Sequence, residues 1–191
     1  MNSTAEEALL DVLDRLHAHF FDEVEGRVIA PLAENPACWG YVGMDLSKAL
    51  TQLTVARDLL PGVRRPKFLD CGSGLGFVPA LAHGLGFAAE GVEICPRYAA
   101  VARKLFPHIE THDGDVLDFA GYGGFDVIYY YGPFHDESLG QQFELKIEAE
   151  AKPGAIILGN RKITKEWEQS GKFRCLGGDG FMGVVLQKLA A

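Results

Sequence analysis

The spacing of apolar residues divides the chain into a helical beginning and a longer alternating remainder. Within residues 3–24, apolar side chains recur at helical spacing, and Ser3 with Glu6 forms a capping-box pattern at the start. This pattern predicts an amphipathic helix with an apolar stripe of Leu9, Val12, Leu13, Leu16 and Phe20. A second helix is predicted from Asp45, as its N-cap, to about Leu60, where a Pro-Gly pair follows.

From Pro66 onward, short apolar runs alternate with stretches of helical character. The runs "KFLDC", "AAEGVEI", "FDVIYYY" and "GAIILGN" are typical of buried strands. Repeated strand–helix–strand units predict a parallel sheet that helices cover on both faces. The final segment, "KFRCLGGDGFMGVVLQKL", is typical of two strands joined by a glycine-rich turn, which predicts an antiparallel edge.

These elements together predict one α/β domain over residues 1–191. We expect a doubly wound, mostly parallel sheet with an antiparallel C-terminal strand, preceded by N-terminal helices. Residues 1–62 would form the helical cap and residues 63–191 the sheet core. The length of 191 residues and the 48% hydrophobic content suit one such core.

The composition of the chain indicates where the protein is expected to reside and which partners it is expected to bind. No apolar run approaches the roughly 18 residues that would span a bilayer, and the opening carries acids instead of the basic start of a secretory signal. Four scattered cysteines suggest reduced thiols. We therefore expect a soluble, cytoplasmic protein. The net charge of −8 and the pI near 5.2 argue against nucleic acid as a partner.

A metal site is not expected. His108, His112 and Asp113 lie near one another in the sequence, but no further ligands are spaced to complete a coordination shell.

The stretch "FLDCGSGLGF" is the most informative part of the sequence. A strand ends in Asp70 and runs into Gly72, Gly74 and Gly76, and such glycines let the backbone approach a ligand. A P-loop is excluded because no Gly-Lys-Ser/Thr follows. The dinucleotide fingerprint G-x-G-x-x-G is also absent, which argues against a nicotinamide-dependent oxidoreductase. Because Asp70 stands two residues before the first glycine, a cationic ligand without phosphate fits this loop better than a pyrophosphate does.

Two further acids follow the next strands. Glu93, at the end of strand two, is placed to accept both hydroxyls of a ribose. Asp115, after strand three, is placed to accept a hydrogen bond from the exocyclic amine of an adenine. Two alternatives stay open: Asp70 could cap the loop, and Asp113 could take the place of Asp115.

The motifs "DCGSGLG", "GVEI", "DGDVLDF" and "KPGAIIL" resemble those of class I S-adenosylmethionine-dependent methyltransferases, over roughly residues 66–188. The resemblance implies an enzyme with S-adenosylmethionine as cofactor. The cofactor-binding positions that it carries over are Asp70, Gly72, Ser73, Gly74, Gly76, Glu93, Ile94, Asp115 and Val116.

In that family the glycine loop passes beneath the methionine part of the cofactor, which would bring Asp70 near its ammonium group. Glu93 would hold the ribose, and Ile94 would pack on one face of the adenine. Asp115 and Val116 would meet the adenine edge.

The stretch "YYYGPFHDE", residues 129–137, follows strand four, where the resemblance places the reacting methyl group. We expect Tyr131 to position the acceptor and His135 to serve as a base, although His135 could equally be a helix N-terminal residue. Tyr130 is expected to belong to the core.

The residues after strand four argue against a nucleic-acid base as the methyl acceptor. Methyltransferases of amino groups on bases often carry Asn or Asp, then Pro-Pro and an aromatic residue, whereas this chain has Tyr131 and Gly132 there. A looser similarity links the chain to small protein-lysine methyltransferases. The expected function is methyl transfer to a protein lysine or a small molecule. The alternative is a non-catalytic, nucleoside-binding partner or regulatory subunit, and the oligomeric state is left open.

Overall fold

The computed structural model describes residues 3–25, 42–164, 167, 170–178 and 183–190. The helices are α1 (Ser3–Glu25), α2 (Leu46–Asp58), α3 (Phe77–Gly84), α4 (Pro96–Leu105) and α5 (Glu137–Glu150). The strands are β1 (Lys67–Cys71), β2 (Ala88–Glu93), β3 (Glu110–Asp113), β4 (Val127–Tyr131), β5 (Ile156–Asn160), β6 (Phe173–Gly178) and β7 (Val184–Lys188). A short 3₁₀ turn covers Tyr122–Gly124.

The seven strands form one sheet in the order β3-β2-β1-β4-β5-β7-β6. Strands β1 to β5 are parallel, and β7 is antiparallel to both of its neighbours. This arrangement confirms the expected mostly parallel sheet with an antiparallel C-terminal strand. The antiparallel strand lies one position in from the edge, because the apolar β7 is buried whereas β6 is mostly exposed.

The sheet separates two hydrophobic clusters. Alternate residues of its central strands face opposite sides, as the two-residue period of a strand requires. Phe68, Tyr129 and Leu158 belong to the cluster that contains residues of α1 to α4. Leu69 and Tyr130 belong to the cluster that contains residues of α5. The sheet is therefore buried on both faces, and only the ends of its strands remain available to a ligand.

Both N-terminal helices pack on α3. The side chain of Asp45 caps α2 as expected, since its Oδ1 accepts from the main-chain N–H groups of Ser47 at 3.0 Å and Lys48 at 3.3 Å. In α1, Leu13 is buried, but Val12 is 60% exposed and does not belong to the apolar stripe that we expected. The side chains of Ser3 and Phe20 lie outside the described residues. Within the described parts of the chain, no helix has both the length and the apolar character needed to cross a membrane.

A buried carboxylate connects β4, α5 and the segment that follows β5. Glu144 Oε1 accepts from the Tyr130 hydroxyl and from Ile163 N, both at 2.9 Å. Its Oε2 accepts from Thr164 N at 2.6 Å. Glu144 is only 1% exposed, so these bonds replace the water that the carboxylate loses on folding.

We expect Glu144→Gln to lower the free energy of unfolding by about 1–3 kcal/mol, because an amide NH₂ would face a donor that it cannot satisfy. The exposed residue Gln141 on the same helix provides the control, and Gln141→Ala should change that free energy little. Urea denaturation measures both effects. Equal stability of Glu144→Gln and the wild type would contradict the role assigned to this carboxylate.

Candidate functional site

One large cavity lies at the carboxyl ends of the parallel strands, where the strand order reverses between β1 and β4. It contains about 970 Å³ of space, including its open mouth. Its wall includes the glycine loop after β1, the tips of β2 and β4, the turn after β3, and residues of α1 and of the segment after β5. Such switch points are where open α/β sheets bind ligands.

The glycine loop takes a backbone path that side chains would obstruct. Gly72, Gly74 and Gly76 all have positive φ angles, of 80°, 54° and 83°. A Cβ atom at Gly72 would lie 3.2 Å from the Cβ of Pro133, in the segment after β4. Gly72 and Gly74 line the cavity, but Gly76 does not: it caps α3 and packs closely against Ala102.

Glu93 fastens this loop to β2. Its Oε2 accepts from Gly74 N at 2.7 Å, and its Oε1 accepts from Cys95 N at 2.8 Å. Burial raises the pKa of Glu93, and these main-chain donors partly oppose the increase. Each carboxylate oxygen can accept a second hydrogen bond, so Glu93 can hold the loop and still bind a ligand hydroxyl from the cavity wall.

Asp70 is a buried carboxylate that lacks a local donor. It is 3% exposed and lines the cavity, and no group in the described parts of the chain donates a hydrogen bond to it. Burial raises the pKa of Asp70 well above its ordinary value, and the nearby Glu93 carboxylate raises it further. The alternative that Asp70 caps the loop thus has no hydrogen bond to support it. A cationic ligand, in contrast, would offset the free-energy cost of burying the carboxylate charge.

Two buried hydroxyls in the same wall also lack partners. Tyr129 is paired in register with Asp70 on the adjacent strand. Among the described residues, neither the Tyr129 hydroxyl nor Ser73 Oγ has a hydrogen-bond partner. Buried polar groups are normally hydrogen bonded, so orphaned hydroxyls at a cavity indicate a site shaped for a polar ligand.

The turn after β3 distinguishes the two candidate acids. Asp115 lines the cavity with Val116 and Ile94, and its Oδ1 also accepts from Leu117 N at 2.8 Å. Asp113 is 57% exposed at its side chain, pairs with an arginine of α4 and lies outside the wall. The geometry therefore favours Asp115 over Asp113 as a ligand-binding acid.

The aromatic stretch around the end of β4 is divided between core and cavity. Tyr130 is buried on the far face, as expected, with its ring 5.3 Å from that of Phe143. Tyr131 is half-buried and lines the cavity. His135 is exposed, is not part of the cavity wall, and directly precedes Asp136, which caps α5. Its position matches the helix N-terminal alternative.

The cavity residues that were not found from the sequence include His17, Tyr129 and Arg161. His17 follows the buried Leu13 by one helical turn of α1, a spacing that indicates the inward face. Arg161 directly follows a parallel strand, and such positions meet at the ligand edge of the sheet.

The histidines considered for a metal have other partners. The ring of His108 lies 4.7 Å from that of His83, between centroids. His112 groups with Glu90 and Glu110, and ligand atoms of these three lie within 4.8 Å of one another. His112 Nε2 and a Glu90 carboxylate oxygen form a hydrogen bond of 2.9 Å. None of these residues lines the cavity.

The raised pKa of Asp70 gives a stability prediction. The folded protein keeps this proton at pH values where the unfolded chain has lost it, so wild-type stability falls as the pH rises above the ordinary value of 3.8. Asp70→Asn removes that penalty. We expect the free energy of unfolding of the variant to exceed that of the wild type by about 1 kcal/mol at pH 7. This difference should shrink towards pH 4.

Urea denaturation across this pH range measures the effect. Asp113→Asn is the matched control, because that carboxylate is exposed outside the cavity. A loss of stability in Asp70→Asn at pH 7 would show that Asp70 has a structural partner after all.

Comparison with known proteins identifies the fold. No protein-family model matches the chain. A demethylmenaquinone methyltransferase from Chlorobaculum parvum is 31% identical over 116 residues, which cover 59% of this chain and 48% of that protein. The chain thus spans about half the length of this curated relative.

Solved structures match over more of the chain. An RNA methyltransferase from Salinibacter ruber in complex with S-adenosyl-L-homocysteine aligns with a TM-score of 0.61 and 19% identity, covering 78% of this chain and 95% of that one. Magnesium protoporphyrin IX methyltransferase from Synechocystis, with bound S-adenosylmethionine, aligns with a TM-score of 0.56 and 11% identity, covering 80% and 87%. The chain therefore has the fold of the class I S-adenosylmethionine-dependent methyltransferases.

Proposed function

We propose that this protein binds S-adenosylmethionine and transfers its methyl group to an acceptor. The observation that carries the proposal is the buried Asp70 carboxylate, which lines the cavity beside the glycine loop and receives no donor from the described residues. A carboxylate in that setting is stabilised by a cation. The ammonium group of the methionine part supplies one at the position where the sequence resemblance expects it.

The other wall residues fit the methionine part and the ribose of the same ligand. The orphaned hydroxyls of Ser73 and Tyr129 would bond to its polar atoms near Asp70. Glu93 would accept from the ribose hydroxyls while it continues to hold Gly74.

The remaining wall residues fit the adenine. Ile94 and Val116 offer apolar contact, and Asp115 offers an acceptor for the exocyclic amine.

The cofactor, when bound, supplies an electrophilic methyl group on a cationic sulfur. The protein's contribution is to align the acceptor with that methyl and to exclude water, and alignment can supply much of the rate acceleration. Tyr131 remains our proposed positioning residue, since its ring lines the cavity at the end of β4. The acceptor in this proposal is a small molecule or a protein lysine.

Proton acceptance is better assigned to His17 than to His135. His17 lines the cavity from α1, and its ring lies 4.8 Å from that of Phe77. Burial lowers the pKa of His17, while the Asp14 carboxylate partly restores it, so the ring is neutral and able to accept a proton at pH 7. His135 is exposed outside the wall.

Cofactor binding is tested by calorimetry with S-adenosylmethionine and S-adenosylhomocysteine. We expect Asp70→Ala and Glu93→Ala each to weaken binding at least tenfold, which corresponds to about 1.4 kcal/mol. Asp113→Asn, outside the cavity, should bind like the wild type. Absence of binding heat with either nucleoside in the wild type would overturn the proposal.

Catalysis is tested by transfer of labelled methyl groups from the cofactor to cell extract. We expect His17→Asn to lower the turnover number about 10²-fold or more while cofactor affinity stays unchanged, because general-base catalysis contributes to the rate and not to binding. In the wild type, the rate should fall as the pH drops through the lowered pKa of His17. The variant should lose that dependence.

The exposed His19 on the same helix gives the control variant His19→Asn, which should keep both the rate and the pH profile. An unchanged pH profile in His17→Asn would exclude His17 as the base. Cofactor binding without any labelled product in the wild type would favour the non-catalytic alternative, a nucleoside-binding partner or regulatory subunit.

A further inference from the structure

Arg161 occupies an unusual place in the cavity wall. It directly follows β5, and its guanidinium carbon lies 5.3 Å from the centroid of the Tyr131 ring. Its φ angle is +54°, and among the described residues it is the only non-glycine residue with a positive φ. Such a conformation is unfavourable and persists where the surrounding structure enforces it.

The residue before Arg161 is held by a buried amide pair. Gln52 Nε2 donates to Asn160 Oδ1 at 3.1 Å, and Asn160 Nδ2 donates to Gln52 Oε1 at 3.1 Å. Asn160 Nδ2 also lies 3.3 Å from the Tyr130 carbonyl oxygen, which accepts from it. Asn160 is fully buried and Gln52 is 8% exposed, so this pair fastens the end of β5 to α2.

The residues after Arg161 are held as firmly. The N–H groups of Ile163 and Thr164 both donate to the buried Glu144 carboxylate. On the side of β4, Gly132 N donates to the Asn160 carbonyl at 2.9 Å, and a Cβ atom at Gly132 would lie only 3.0 Å from the Cβ of Arg161. Arg161 is therefore fixed from both sides and given space by a glycine, which an ordinary surface arginine does not require.

Charge is distributed unevenly around the cavity. The acids of the wall, Asp70, Glu93 and Asp115, come from β1, the end of β2 and the turn after β3, on one side of the switch point. Arg161 comes from the end of β5, on the other side, beyond β4. The acidic side suits the cofactor, so the side with the guanidinium and Tyr131 is left for the acceptor.

We propose that Arg161 binds an anionic oxygen of the acceptor, and that the acceptor is a small organic acid. This inference rests on the proposed methyltransferase function and selects between its two acceptor classes. A guanidinium pairs well with a carboxylate or an ionised hydroxyl, through donors in a fixed fork. The same group repels the ammonium form of lysine, so a protein-lysine acceptor is disfavoured.

Arg161 acts as a specificity-determining residue in this proposal. A cell extract is first separated into protein and small molecules, and the small molecules are then divided by ion exchange into anionic, neutral and cationic fractions. Each fraction is offered to the wild-type protein with S-adenosylmethionine that carries a labelled methyl group. We expect label to enter compounds of the anionic fraction. Label confined to the protein, neutral or cationic fraction overturns the proposal.

Variants then separate acceptor binding from cofactor binding. We expect Arg161→Gln to raise the KM for the labelled fraction at least tenfold and to keep S-adenosylhomocysteine affinity within twofold. Arg161→Lys, which keeps the charge but loses the fork, should retain part of the activity. Arg103→Gln, on an exposed arginine outside the cavity, is the control and should behave like the wild type.

The possible failures are distinguishable. If Arg161→Gln instead weakens S-adenosylhomocysteine binding tenfold and leaves the KM for the acceptor fraction unchanged, Arg161 holds the carboxylate of the cofactor and the proposal is wrong. If the wild type binds no S-adenosylhomocysteine, the proposed function itself fails. If the wild type binds S-adenosylhomocysteine but labels no fraction, the chain is a non-catalytic binder. The proposed acceptor is then wrong as well, because no methyl group is transferred.

Discussion

The shape of the cavity depends on the hydrogen bonds that Glu93 accepts from main-chain N–H groups on both sides of it. Through Gly74 it holds the glycine loop against β2, and through Cys95 it fixes the start of α4. The loop then lies close enough to Pro133 that Gly72 cannot carry a side chain without a shift. The Glu93 carboxylate thus helps to fix the loop after β1, which lies against the segment after β4, and these two segments form two sides of the cavity.

Binding capacity in this cavity is obtained at the expense of stability. Burial raises the pKa of Asp70, the Glu93 carboxylate raises it further, and the Tyr129 hydroxyl has no partner among the described residues. Glu144 shows the contrasting case, because three donors satisfy its buried carboxylate. Glu144 therefore holds the fold together, whereas Asp70 and the Tyr129 hydroxyl are open to a ligand in the cavity.

The fold and the acidic side of the site were predictable because they depend on local sequence. Short apolar runs, the glycine loop and acids at strand tips are each visible within a few positions, as for Asp70 and Glu93. The other side was harder. His17 becomes a cavity residue only when α1 packs on α3, and Arg161 only when β5 pairs with β4. His135 lies near Tyr131 in the sequence, but it is not part of the cavity wall.

The two sides of the cavity are held by different parts of the chain. The glycine loop is fixed by β2, within the sheet, through Val92 and Glu93. The chain before Arg161 is held by Gln52 of α2, and the chain after it by Glu144 of α5. These two helices lie on opposite faces of the sheet. The position of Arg161 therefore depends on the helices that surround the sheet, whereas that of the glycine loop depends on the sheet itself. This separation explains why short motifs predict the acidic side of the cavity, whereas only tertiary contacts bring Arg161 to the other side.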